Sequence, residues 1–258
     1  MADKVNFLGV VFDRMSFDEA IKQLLDHLMT RKGGQVYFAN AHTMVTANQN
    51  QELAIALKQC DMLLADGSGT LWSSALVGTP LKYNLNGTDL VPALCKAGAA
   101  KGLSIYLLGA KVGVAKAAAH KLAEKYPGLV IAGVQHGYFP EEKTEEVLKT
   151  IRNASPSLLL VAMGVPQQEI WINKYSSKLP NITSMGVGGL FDFLSERVPR
   201  APLWIRSIGL EWLWRLKIEP SRLWQRYTLG NLIFLRLVLD YLLITKGNTQ
   251  PRNPEVKL

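Results

Sequence analysis

The stretch MLLADGSGTLW, Met62 to Trp72, decides how this chain is read: an apolar run stops at Asp66, with Gly67 and Gly69 just behind it. A carboxylate inside a buried strand is costly, whereas one at a strand's carboxyl end, where a glycine turn feeds a helix, sits at the rim of a crevice. Open α/β sheets bind their ligands at that edge. A second reading stays open, because an aspartate followed by small residues also serves as a helix N-cap.

Outward from this stretch the same alternation repeats. QVYFAN (35–40), MLLAD (62–66), LSIYLLG (103–109), LVIAG (129–133), SLLLVAMG (157–164) and ITSMGVG (182–188) read as buried strands. Between them lie helix signals: a capping box from Ser16 to Glu19, then runs over 43–58, 68–77, 88–100, 112–125, 141–153 and 167–177. The order predicts an α/β fold, a Rossmann-like, mostly parallel sheet flanked by helices, with a helical C-terminal appendage. After Pro199 and Pro202 the pattern turns helical, with a break at Glu219-Pro220 and a long helix from about Arg222 to Thr245.

Composition agrees with a cored protein: 258 residues, 48% of them hydrophobic, fit one large domain or a domain with an appendage. Cys60 and Cys95 show no disulfide or metal-site spacing, and the N-terminus carries no visible export signal, so a cytoplasmic location is expected. The net charge of +8 is uneven. From Arg197 onward eleven Lys/Arg face four acidic residues, a net +7, which leaves +1 for everything before. Four of the six tryptophans, at 204, 212, 214 and 224, fall in the same segment. We therefore divide the chain into a catalytic domain, 1–196, and a basic, Trp-rich appendage, 197–258, suited to an anionic surface. The apolar stretch at 229–244 is interrupted by Asn231, Arg236 and Asp240, which disfavours a full membrane crossing. A buried core helix and an interfacial helix both fit it.

A parallel sheet brings its strand-to-helix junctions to one edge, here Asn40, Asp66, Gly109 to Gly113, Gln168 and Gly186 to Gly189. LLGAKVGVAKAA can hold a diphosphate through backbone N–H groups, although Gly109 and Gly113 could equally make a tight turn. Asn40 and His42 in FANAHT also fit turn chemistry. No His/carboxylate spacing reads as a metal site, and neither a G-x-S-x-G elbow nor a phosphate-loop lysine is present.

In series, FANAHT, LLADGSGTLW, NGTDL (86–90), LLGAKVGVA, GYF (137–139), MGVPQQEIWI, GVGGLFDFLSERVPRAP (186–202), GLEWLWRL (209–216) and EPSRLWQRY (219–227) closely resemble the WecG/TagA/CpsF glycosyltransferases, over roughly residues 5 to 240. The resemblance implies an inverting, metal-independent enzyme without cofactor that moves an N-acetylmannosamine-type sugar from UDP to a polyprenyl-diphosphate-linked N-acetylglucosamine. It implies work in cell-surface polysaccharide synthesis, peripheral on the inner face of the plasma membrane, and a homo-oligomer is compatible with it. Asp66 falls on the family's proposed catalytic base, with Asn40 and Gln168 on polar positions of its pocket. Gly67, Gly109, Gly113 and Gly188 are expected around the substrate, and Arg215, Arg222 and Arg226 around its diphosphate. Phe38, where relatives often carry a hydroxyl residue, and Asn84, where many carry an arginine, bear on which sugar is taken.

The chemistry is consistent. Inversion needs an ionised base on one face of the sugar while a diphosphate leaves from the other, and that leaving charge needs a metal or arginines and amides. Three alternatives remain: another UDP-sugar donor such as glucose or a uronic acid, a nucleotide-dependent oxidoreductase, and a nucleic-acid-binding protein. The second lacks an early glycine fingerprint. The third fits the tail's Trp and Arg but not its aliphatic helix, so no nucleic acid partner is expected.

Overall fold

The computed structural model describes residues 3–247, with side chains through Thr245. Arg252, Glu255, Lys257 and the Lys246 side chain, all part of the tail's charge count, lie outside the described residues.

Six parallel strands form the central sheet: β3 (Gly34–Ala39), β4 (Met62–Ala65), β5 (Ser104–Gly109), β6 (Val130–Gln135), β7 (Leu158–Ala162) and β8 (Thr183–Gly186). Their order is β4-β3-β8-β7-β5-β6, every neighbouring pair parallel. Side chains alternate between the faces with the two-residue period of a strand. Val36, Phe38, Leu64, Leu107 and Leu160 pack on one side, against α1 (Phe17–Met29), α5 (Gly87–Ala99), α6 (Val114–Lys125) and α9 (Leu190–Leu194). Tyr37, Leu63, Leu108, Leu159 and Val161 pack on the other, with α2 (Ala41–Gln49), α3 (Gln51–Gln59), α7 (Thr144–Ala154) and α8 (Gln167–Tyr175). Burial on both faces is why five of these strands read as continuous apolar runs; LVIAG, expected as a buried strand, is the edge strand β6, with Val130 and Val134 exposed. The expected Rossmann-like α/β architecture is what forms.

Further features differ from the sequence reading. The run over 43–58 is two helices, because Asn50 leaves helical geometry (φ −132°, ψ 108°) and its side chain accepts from the Leu53 amide, restarting the chain as α3. The N-terminus forms an antiparallel hairpin, β1 (Asp3–Phe7) and β2 (Val10–Arg14), turning through Leu8 and Gly9 with both φ positive. Its Asp13 carboxylate accepts from the Leu63 amide at 2.9 Å, so the hairpin covers the β4 edge of the main sheet.

The appendage comprises α10 (Leu203–Ser207), α11 (Glu211–Ile218), α12 (Pro220–Tyr227) and α13 (Leu229–Gly247). The long helix expected from Arg222 to Thr245 is thus divided at Thr228. One stripe of α13, Phe234, Val238 and Tyr241, is buried, and the Phe234 ring meets Phe7 edge-on at 6.5 Å. Leu229, Leu232, Leu235, Leu239 and Leu243 on the same helix are exposed. The helix is therefore neither wholly core nor wholly free: one side docks and the rest stays apolar and open. The Pro220–Thr245 stretch is long and apolar enough to cross a membrane by length and composition. Arg236 and Asp240 are exposed on it, 3.8 Å apart.

Candidate active site

The carboxyl ends of β3, β4, β7 and β8 open into a cleft of about 1440 Å³, roofed by the appendage. Strand β4 ends where the Asp66 amide bonds the Ala39 carbonyl at 3.0 Å. Gly67 follows at φ 84°, a left-handed conformation that favours glycine, and it, not Asp66, is the N-cap of α4 (Ser68–Leu76). The Gly67 amide donates instead to Asn84 Oδ1 at 2.9 Å. Asp66 is thereby freed from capping, and Asn40 Nδ2 donates to its Oδ2 at 2.9 Å.

Asn40 does two jobs. As N-cap of α2 its Oδ1 accepts from the Thr43 amide at 3.2 Å, which fixes the side chain, and the opposite end of the amide orients the Asp66 carboxylate. Asn40 thus caps α2 and also lines the cleft. The same Oδ1 accepts from Arg226 of α12 at 3.3 Å, so the appendage closes on the residue that aims the aspartate.

Arg226 is partly buried, and desolvation pushes its guanidinium below the ordinary arginine value; Arg215 and Arg222 act the same way, while Tyr227 and Asp66 oppose. Its Nε and that of Arg215 are buried without a hydrogen-bond partner. Arg215 stacks on Phe193 at 5.1 Å and reaches toward Gly189. Beside them burial, with Arg226 second, pushes His42 down to about 4, so the imidazole is neutral at pH 7. Two guanidiniums with unused donors in one cleft with an uncapped carboxylate make a site that can take a proton and hold an anion.

The chain matches the Glycosyl transferase WecG/TagA/CpsF family over residues 5–248. It belongs to that family. Among curated relatives, two proteins named N-acetylglucosaminyldiphosphoundecaprenol N-acetyl-beta-D-mannosaminyltransferase are each 33% identical. For that of Bacillus spizizenii the match covers 81% of this chain and 82% of the relative. For that of Bacillus subtilis the shares are 80% and 80%. A Staphylococcus aureus protein of the same name is 28% identical over 85% of this chain and 87% of its own.

The structure brings most of the expected residues of this glycosyltransferase together. Asp66, Asn40, Gly67, Gly188, Gln168, Arg215, Arg222 and Arg226 all line the cleft. Gln168 does so as a brace: it is buried, its Oε1 accepts from the amides of Gly164 (3.2 Å) and Gly188 (2.9 Å), and its Nε2 donates to Glu169 at 2.7 Å. It ties the loops after β7 and β8 together and offers little to a ligand. Arg222 is half exposed and paired with Glu219 at 2.8 Å, unlike its two neighbours. Gly109 and Gly113 stand back from the lining, which takes Ala110 and Lys111 from the same turn. Gly109 packs so closely on Ala162 that a Cβ would lie 2.4 Å from its carbonyl oxygen, so here the tight-turn reading accounts for the glycine.

Sequence reasoning missed Glu169 and Arg206. Glu169 is fully buried beside Gln168, where desolvation raises its carboxyl to about 7. In the first turn of α8 an acidic residue reads as an ordinary solvated helix start, so QQEIWI gave no signal of its burial. Among the described residues no group of three or more His, Cys, Asp or Glu is placed to hold a metal.

Proposed function

We propose that this glycosyltransferase moves N-acetylmannosamine from a UDP-sugar to a polyprenyl-diphosphate-linked N-acetylglucosamine. The observation that carries the reading is the Asp66 carboxylate, freed from capping and aimed by Asn40, which Arg226 also contacts, in a cleft that Arg215 lines as well. In the reaction the acceptor hydroxyl gives its proton to Asp66 as its oxygen bonds the anomeric carbon. The bond from that carbon to the UDP β-phosphate oxygen breaks on the opposite face, inverting the centre. Base catalysis by a positioned carboxylate contributes about 10²–10⁴-fold. Arg215 and Arg226 meet the charge that develops on the leaving diphosphate, in a buried setting where such contacts are stronger than in water. Asn40 holds the carboxylate, and Gln168 fixes the loops that floor the cleft.

The appendage, 197–258, supplies those arginines and, on this reading, seats the enzyme on the anionic cytoplasmic face of the membrane where the lipid acceptor lies. The basic excess together with exposed Trp204, Trp224, Leu232, Leu235 and Leu243 supports this. Incubating full-length protein with a panel of UDP-sugars and a short-chain prenyl-diphosphate-N-acetylglucosamine tests the proposal by product mass. Addition of one N-acetylhexosamine from UDP-N-acetylmannosamine alone is expected. Transfer of glucose or a uronic acid instead reassigns the donor, and no transfer from any UDP-sugar overturns the reading.

A further inference from the structure

Resting on that reading, the reaction brings two diphosphates into one cleft, that of the donor and that of the lipid-linked acceptor. Arg215 and Arg226 form one cationic set, above Asn40 and Gly189. A third guanidinium enters from a different element. Arg206, on α10, lines the same cleft, and its NH1 donates to Asp89 Oδ1 at 3.1 Å. That oxygen already accepts from Arg200 at 2.7 Å, and Arg200 has further partners in Thr88 and Glu211. One carboxylate is therefore divided between two guanidiniums, and Arg200 alone has a second. The Arg206 Nε is buried without a partner. Buried donors in native proteins are nearly always satisfied, so an unpaired one beside a cleft marks a place where a ligand completes the bonding.

The position also distinguishes which diphosphate. The carbonyl of Arg206 accepts from the Gly209 amide, and the Gly209 carbonyl accepts from Ser68 Oγ at 2.9 Å, two residues past Asp66. Arg206 is thus tied through its backbone to the start of α4 and through its guanidinium to Asp89 of α5, whereas Arg226 is tied to Asn40 of α2. The rim there is apolar: Trp72, Leu203, Trp204 and Ile208 are all more than half exposed, and Trp72 Cζ2 lies 3.6 Å from where a Cβ on Gly209 would stand. A prenyl chain can leave over this rim while its sugar reaches Asp66. We propose that Arg206 binds the diphosphate of the polyprenyl-linked acceptor, in a subsite separate from that of Arg215 and Arg226, and that Asp89 is its positioning residue.

Calorimetry on the full-length protein tests this without turnover. UDP is titrated into free protein, and short-chain prenyl-diphosphate-N-acetylglucosamine into protein saturated with UDP. Arg206→Gln is expected to weaken the acceptor about tenfold or more while leaving UDP within twofold. Arg206→Lys, which keeps charge, should fall between, and reads the subsite if the glutamine variant fails to fold. Wild type should prefer the diphosphate acceptor over its monophosphate analogue, and Arg206→Gln should lose that preference. Asp89→Asn should weaken the acceptor but not UDP. Loss of UDP affinity in Arg206→Gln would assign the residue to the donor and overturn the proposal. A lowered Tm with acceptor affinity unchanged would reduce Arg206 to a clamp between α5 and α10, and overturns it too. Wild-type protein that binds no UDP sinks the glycosyl-transfer reading, whereas acceptor binding indifferent to Arg206 sinks the subsite alone.

Discussion

Replacing Asn40 by aspartate changes a few atoms and one charge at the centre of the site. The Oδ1 contacts to the Thr43 amide at 3.2 Å and to Arg226 at 3.3 Å survive, and aspartate caps helices about as well as asparagine. What disappears is the donation to Asp66 Oδ2 at 2.9 Å, replaced by a second carboxylate facing the first. Two unit charges ~4 Å apart at an effective dielectric of ~20 repel by ~4 kcal/mol, or about three pH units at 1.36 kcal/mol each. Arg226 offsets part of this. The pair then holds one proton into a higher pH range, as neighbouring carboxylates do. The acid limb of kcat/KM for Asn40→Asp should move up by about one to three pH units relative to wild type. Profiles recorded from about pH 4 to 9 with a soluble acceptor should show a loss that is greatest at the acid end and narrows toward pH 9. By linkage the same shift costs stability at high pH, so melting temperatures should fall by several degrees relative to wild type at about pH 8 and by less at pH 5. Superimposable profiles, or a loss independent of pH, would refute the link between Asn40 and the reacting carboxylate.

Phe234→Ala removes a buried ring that joins α13 to the hairpin, a change that costs about 3–5 kcal/mol in cores. Thermal melts should fall by about 6–15 °C, and an unchanged Tm would mean that the helix is not docked. Glu169 is raised to about 7 by burial, so the folded chain keeps a proton that the unfolded chain releases above its ordinary value of 4.5. Wild-type stability from this group is therefore present at low pH, lost as pH rises from about 4.5 to 7, and stays lost above, by about 3 kcal/mol at most. The stability of Glu169→Gln relative to wild type, from urea melts, should rise between pH 5 and pH 8; a difference independent of pH contradicts the buried carboxyl. EDTA should leave turnover unchanged where arginines carry the diphosphate charge, and strict dependence on added Mg²⁺ or Mn²⁺ would reassign that role.

The sheet was legible because its strands are buried on both faces: VYFA, MLLA, SIYLL and LLLVA admit no other placement than the middle of a three-layer fold. The hairpin was not, since VNFLGVVF is short and Leu8 is an unusual residue for a turn with positive φ. Asp66 and Asn40 could be placed at the sheet edge from sequence, because chain direction alone brings junctions there. Their hydrogen bond could not, as it depends on Gly67 relieving Asp66 of the cap. Gln168 was legible as a site residue but not as a brace, because its partners, the amides of Gly164 and Gly188, are backbone and leave no mark in side-chain identity. Among the arginines, sequence ranks 215, 222 and 226 alike. Only their partners separate them: Glu219 occupies Arg222, while the Nε of Arg206, Arg215 and Arg226 are buried and unpaired.

The central claim is that Asp66 takes the acceptor's proton, and turnover by Asp66→Asn measures it most directly. The substitution preserves shape and can still accept the bond from Asn40, so UDP affinity and Tm serve as controls. The account predicts a fall of about 10²-fold or more in kcat with both controls near wild type. A variant that keeps more than about a tenth of wild-type kcat would contradict it.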